Sequence, residues 1–172
     1  MMLLHGEQYL EILQYPIPTS GTLVSYAKLL EVVDKGNAAI LRSGTTTINK
    51  ETGKPVFYNE MSVFIRGSGG FGGQKKPADR GAATNANVPP KRAADVVVEE
   101  KTTEEQAVLY RLSGDYNPLH VDPAFAKMGG FKVPILHGLC FFGIAAKAIY
   151  QQYVFPSPPF CPVDIGKFVN MN

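Results

Sequence analysis

The chain has 172 residues, 45% of them hydrophobic, with ten Phe, eight Tyr and no Trp, which suits one ordinary domain or two small ones around a real core. A formal net charge of +2 provides no field for general nucleic-acid binding, and two cysteines, Cys140 and Cys161, make no disulfide framework. The N-terminus MMLLHGEQYLEIL lacks the form of a signal peptide, and the longest apolar stretch, Gly138 to Ile149, is shorter than the roughly 20 residues that span a bilayer. The expectation is a soluble intracellular protein with neither membrane nor nucleic acid as partner.

In chain order, LLHG at Leu3–Gly6 comes first and returns as ILHG at Ile135–Gly138, an echo that either chance or a fold present in two copies explains. From Gly21 to Arg66 the pattern predicts three strands. TLVSYAKLLEVVD leads through a Lys35-Gly36-Asn37 turn into AAILRSGTTTI, and a polar NKETGK turn leads into PVFYNEMSVFIRG. Short strands joined by polar turns favour an antiparallel meander. Residues 67–94, rich in Gly, Ala, Asn and Pro, read as a connector, and Lys75, Lys76 and Arg80 within them as a solvated loop. Gly67-Ser-Gly69-Gly-Phe-Gly72 satisfies GxGxxG after a strand. However, QKKPADRG cannot open the required helix and position 92 is Arg, so a glycine loop allowing close backbone approach is the better account.

The second half turns helical. Thr102 or Thr103 caps a predicted helix with Glu104 and Glu105 in its first turn, running through QAVLYRL and ending near Gly114. Next come the SGDYNPLH turn, a short helical turn at PAFAKM and a Gly129-Gly130 break. From His137, HGLCFFGIAAKAIYQQY predicts a helix of roughly 15 residues, apolar or small on nearly every side and hence a buried central helix.

The segment LSGDYNPLH, Leu112 to His120, carries two readings. Asp115 and His120 make ordinary sense as turn residues, and equally as an acid and an imidazole held together for proton transfer. Eighteen residues beyond His120, Gly138 stands at the mouth of the apolar helix, where unpaired N–H groups and the helix dipole could serve a developing oxyanion. His120, Asp122, His137 and Cys140 offer metal-type ligand atoms but no recognised zinc spacing, so no metal is expected. Cys140 reads as a small core residue, and Tyr110 and Tyr116 as packing residues rather than acids.

YRLSGDYNPLHVDPAFA at Tyr110–Ala126, followed by GF-x-x-PILHGLCFFG, resembles the signature of the type-2 enoyl-CoA hydratases. This is the MaoC-like, hot-dog-fold family that includes the hydratase part of peroxisomal multifunctional beta-oxidation enzymes. LLHGEQYLE, DKG at Asp34–Gly36 and FIRGSGGFGG resemble its N-terminal half, and the likeness covers roughly residues 3–153. It implies an α+β double hot dog, an antiparallel sheet around a long central helix in each repeat, with the catalytic site in the second. It also implies hydration of a trans-2-enoyl-CoA to a (3R)-3-hydroxyacyl-CoA, without metal or redox cofactor, in a peroxisomal homodimer. By motif position, Asp115 and His120 are the catalytic pair, Asn117 orients them and Gly138 supplies the oxyanion N–H. His5, Gly6, Lys35, Tyr116, Pro118 and Leu119 fall on the acyl-CoA side.

The expected organisation is a partial first repeat over 1–73, a connector over 74–94, a partial catalytic repeat over 95–153 and a non-family tail over 154–172. Four prolines, at 156, 158, 159 and 162, disqualify that tail as ladder-forming strands, and the chain ends Val-Asn-Met-Asn rather than in a peroxisomal tripeptide. The chain therefore reads as an incomplete double hot dog, truncated at both ends. That leaves an inactive remnant, binding acyl-CoA or a partner chain at most, as the alternative to a working hydratase. A hot-dog thioesterase or dehydratase is the third reading.

Overall fold

A computed structural model describes residues 2–84 and 90–153, and these divide into two compact units, each considered by itself. Residues of the connector from 85 to 89, the tail from 154 and Cys161 lie outside the described residues.

The first unit is an antiparallel sheet of four strands: β1 (Met2–Ile12), β2 (Leu23–Asp34), β3 (Ala38–Asn49) and β4 (Pro55–Arg66), in the order β1-β4-β3-β2. The three predicted strands form the meander. Asp34 closes the β2–β3 turn by accepting the Gly36 N–H at 2.8 Å, with Gly36 at φ 75°, where glycine carries no steric cost. β1 is an element the sequence reading did not predict. Among the described residues it pairs on one side only, with β4, and a bulge between His5 and Glu7 breaks its alternation at Gly6. LLHG thus continues as a bulged strand, whereas ILHG leads into a helix, so the two echoes occupy different local structure. The residues that follow decide this: EQYLEI suits an edge strand, and LCFFGIAA suits a packed helix.

Residues 67–84 are not the free connector that composition suggested. Asp34 accepts N–H groups from Gly70 at 2.9 Å and Gly72 at 2.8 Å, tying the glycine loop to the β2–β3 turn. These bonds, Gly70's above all, hold the Asp34 carboxyl below the usual carboxylate range. Gly69 has its Cα so close to the turn that an added Cβ would lie 2.6 Å from Ala38 N. The GxGxxG run is therefore a packed loop with no helix behind it. Arg80 also differs from its solvated reading. Its side chain is 19% exposed and bridges Glu31 and Glu60, both at 2.8 Å. Glu31 in turn meets Arg42, which also holds Glu7 and Ser62. A row of buried charges thus straps residues 78–80 across β2, β3 and β4, and each member has partners, as burial requires.

The second unit holds α1 (Gln106–Arg111), α2 (Pro123–Met128), α3 (Gly138–Tyr153) and a 3₁₀ turn, Pro118–His120. The first helix starts later than predicted. Neither Thr102 nor Thr103 caps it; residues 104–105 form a turn, and the Gln106 N–H reaches Thr103 O at 3.2 Å. Asp122 caps α2 through the N–H groups of Ala124 and Phe125, with Pro123 at the first position, where its missing N–H costs nothing. α3 forms as predicted but is not fully buried. Cys140 is its one buried residue, while Leu139, Phe141, Tyr150 and Tyr153 stay at least 40% exposed. A helix apolar all round needs cover on every side, and the described residues supply it along only part of α3. Among the described residues, no helix is long and apolar enough to cross a membrane.

Candidate active site

The turn after α1 is held by local bonds. Asp115 Oδ1 accepts the Asn117 N–H at 3.1 Å, and Asn117 Oδ1 accepts the Leu119 N–H at 3.1 Å, capping the 3₁₀ turn. Asn117 therefore fixes both ends of the motif, its backbone holding Asp115 and its side chain holding the turn that carries His120. Pro118 supplies the first position of that turn. Arg111 clamps the outside: its guanidinium donates to Tyr116 O at 2.7 Å and lies 5.0 Å from the Tyr116 ring centroid.

His120 Nδ1 lies 2.7 Å from Ile135 O. A carbonyl only accepts, so Nδ1 carries the proton and neutral His120 keeps its lone pair on Nε2. That is the tautomer a general base needs. Ile135 belongs to the segment that runs into α3, so this bond also joins the motif turn to the helix mouth. There the His137 carbonyl accepts the first helical N–H groups, from Cys140 at 3.1 Å and Phe141 at 3.4 Å. Gly138 heads the 16-residue helix, so its N–H has no intrahelical acceptor and sits at the positive end of the dipole.

The residue the sequence reading underused is His137. Its ring stacks on His120 with centroids 3.7 Å apart and packs against Tyr110 at 4.6 Å, and it is only 2% exposed. Burial first, then the neighbouring His120, pushes its pKa below the ordinary imidazole value, against an opposing pull from Asp115. Burial likewise raises the Tyr110 phenol, which stays neutral. Asp115, His120 and His137 each offer one ligand atom, all within 4.8 Å of one another. Three such atoms have a common point within about 2.8 Å of each, which is hydrogen-bond distance to one oxygen. The same three atoms are also a set that could gather around a metal ion. Of the set weighed from sequence, Asp122 is engaged as the α2 cap and Cys140 accepts from Gln106 at 3.8 Å. His137's position at the start of the predicted helix, in the ILHG echo, was the signal available for it.

A cavity of about 490 Å³ in this unit is lined by Thr103, Ala107, Val108, His120, Val121 and Ile135 among others, so it reaches the imidazole side of the motif. Leu119 is buried and meets Gly129, which makes it a packing residue of the turn rather than a wall of that cavity. In the first unit, His5 Nε2 lies 3.1 Å from Glu7 O, and His5 and Gly6 line a separate cavity of about 400 Å³ at the β1 bulge. Lys35 is exposed at the β2–β3 turn, its ammonium donating to Lys75 O at 3.2 Å.

Fold and site define an α+β hot-dog protein with an acid–imidazole turn ahead of a helix mouth. The chain matches the MFE-2 hydratase 2 N-terminal domain over residues 1–67 and the MaoC-like domain over residues 85–169. It belongs to this MaoC-like family of type-2 enoyl-CoA hydratases. It is 76% identical over 153 residues to the peroxisomal hydratase-dehydrogenase-epimerase of Neurospora crassa, across 89% of this chain and 17% of that protein. To a probable enoyl-CoA hydratase 2 of Dictyostelium discoideum it is 49% identical, across 89% of this chain and 51% of that one. The full-length peroxisomal multifunctional enzyme type 2 of Drosophila melanogaster superposes with a TM-score of 0.75 at 41% identity, across 90% of this chain and 27% of that one. The chain thus spans about half the length, or less, of these relatives.

Proposed function

We propose that this chain carries a hydratase site that adds water across a trans-2-enoyl-CoA to give a (3R)-3-hydroxyacyl-CoA, in fatty-acid beta-oxidation. The observation that carries the reading is the pairing of the Asp115 carboxylate with a His120 whose Nδ1–H is fixed on Ile135 O, leaving Nε2 as a base. Water held by the pair gives up one proton as its oxygen forms the bond to C3. The C2–C3 π electrons move toward the thioester carbonyl, and a proton from the pair reaches C2, so the elements of water are added and nothing is released. Charge on the thioester oxygen builds at Gly138, where the N–H and the helix dipole of α3 stabilise it. Names of relatives containing hydratase and peroxisomal support both the reaction and a peroxisomal location.

His5, Gly6 and Lys35 fit the acyl-CoA side by motif position, with the Lys35 ammonium suited to the anionic CoA. Tyr116, Pro118 and Leu119 act there through the shape of the turn. The exposed apolar residues of α3 favour a second copy as cover, hence a homodimer. The same exposure favours, as a second reading, a non-catalytic chain that only binds acyl-CoA or a partner.

The test follows the loss of enoyl absorbance with a medium-chain trans-2-enoyl-CoA, with Asp115→Ala and His120→Ala in parallel. The hydratase reading expects turnover in the parent and a fall of about 10³-fold or more in each variant. A folded parent without turnover favours the non-catalytic chain, and free CoA in the product marks a thioesterase.

A further inference from the structure

His137 is at once the most enclosed polar side chain of the second unit and the one whose ring nitrogens make no hydrogen bond of ordinary geometry among the described residues, beyond a weak approach to the Asp115 backbone. A buried polar group in that condition is costly unless a small polar molecule completes it. Nε2 faces Asp115, 3.9 Å from Oδ2, too far for a direct hydrogen bond and close enough to share one oxygen between them. From Asp115, His137 and His120 Nε2 together, we infer that His137 is the third contact of the nucleophilic water and donates its Nε2–H to it.

The proton assignment follows from what Nε2 faces. A carboxylate only accepts, so a lone pair on Nε2 would be set against lone pairs on Oδ2, whereas Nε2–H is attracted to them. Burial and the cationic neighbours favour a neutral imidazole, against the pull of Asp115. His120 lies stacked on one side, Tyr110 on another, Arg111 and Asp115 are near, and two imidazolium rings 3.7 Å apart would repel strongly.

With that tautomer the water is fully specified. It donates one hydrogen bond to the Asp115 carboxylate and one to His120 Nε2, only one of these protons being transferred as the bond to C3 forms, and one of its lone pairs accepts from His137. Its remaining lone pair is then the only one free, and it is the pair that forms the bond to C3. Without His137 the water keeps its base but swings about the Asp115–His120 axis, and misorientation of a nucleophile costs rate rather than binding. The inference rests on the hydratase reading above and names a further catalytic residue for it.

The test uses the full chain with His137→Phe, which keeps the ring and its stack but removes both nitrogens, and His137→Gln, which keeps an amide donor. The expectation is a fall in kcat of about 10²-fold or more for Phe with KM within a few-fold, and at least a tenfold recovery for Gln. Parent-like kcat in Phe, or Gln no better than Phe, makes His137 a stacking platform and overturns the inference. Nitrogen-15 shifts of the parent's imidazoles provide a measurement independent of turnover and of whether the variants fold. A neutral His137 protonated on Nε2 supports the assignment, and one protonated on Nδ1 overturns it. A parent without hydratase turnover but with the Nε2–H form would sink the hydratase reading and leave the donor assignment standing.

Discussion

Arg42 in the sheet unit and His137 in the helical unit are both buried, at 7% and 2% exposure, yet they are provided for in opposite ways. Arg42 spends its guanidinium on Ser62 at 2.9 Å, Glu7 at 3.1 Å and Glu31 at 3.2 Å, so its donors point at fixed acceptors of the same sheet. His137 faces the Asp115 carboxylate across 3.9 Å, has only a weak approach to the Asp115 backbone, and meets His120 and Tyr110 through its ring. A buried polar group that is completed by its own fold holds that fold together, and one left open is where a fold departs from its own rules for the sake of a ligand. The buried charges of the first unit are accordingly read as scaffold, and the open imidazole of the second as the place for chemistry.

The largest expected effect lies in the second unit. Asp115→Asn keeps the shape of the turn and removes the charge, and it should cost kcat about 10³-fold, close to 4 kcal/mol of transition-state stabilisation. Thermal unfolding should barely move, because the Asp115 side chain is 47% exposed and its turn keeps the Asn117 bonds. A large drop in Tm would show that the motif is structural first, and would break the contrast between Arg42 and the acid–imidazole turn.

Arg42→Met should do the reverse. It leaves Glu7 without its cation and Glu31 with Arg80 alone, in surroundings where both Arg42 and Glu31 side chains are 8% exposed. Breaking one partner of a buried network costs about 3–5 kcal/mol, and denaturant titration would read it directly. Replacing Arg42 together with Glu31 by apolar residues should recover part of that loss. Smaller again is Gly69→Ala, whose Cβ would press on the Ala38 backbone; overpacking of this kind costs about 1–3 kcal/mol. An unchanged unfolding midpoint would mean, for Arg42→Met, that the buried ion pairs add nothing to the sheet and, for Gly69→Ala, that the close packing of the glycine loop adds nothing.

The two halves also differed in how much their sequence disclosed. Strands β2 to β4 were legible because apolar alternation and polar turns coincide, and Gly36 and Gly53 both take positive φ where those turns fall. β1 was not, since an edge strand with a bulge at Gly6 shows little alternation. Arg80 looked like loop charge because its partners Glu31 and Glu60 are far away in sequence and only the fold brings them near. In the second unit Asp115, Asn117 and His120 were legible as one turn, since their bonds span at most a few residues. His137 was not, because its stack on His120 depends on the course of residues 129–136. Local geometry is written in local sequence, and a site assembled across a loop is not.

The smallest effects separate the units by pH. In the sheet, Tyr58 donates to Glu60 at 2.7 Å, and burial with that neighbour raises the phenol to about 12 from an ordinary value near 10. A raised pKa adds stability that is complete below the unfolded value and is lost as pH climbs through the folded one, so the sheet should weaken between about pH 10 and 12. His137 has the opposite sign. Its folded pKa is lowered, so the stability linked to it is present above about 6.5 and declines as pH falls through the folded value. Tyr58→Phe should flatten the alkaline limb of a stability profile alone, and His137→Phe the acid limb alone. Both changes should be modest, since the Tyr58 ring is partly exposed and many other groups titrate at either end. If either substitution moved both limbs, the two units would share one cooperative transition, and scaffold and site could not be varied independently.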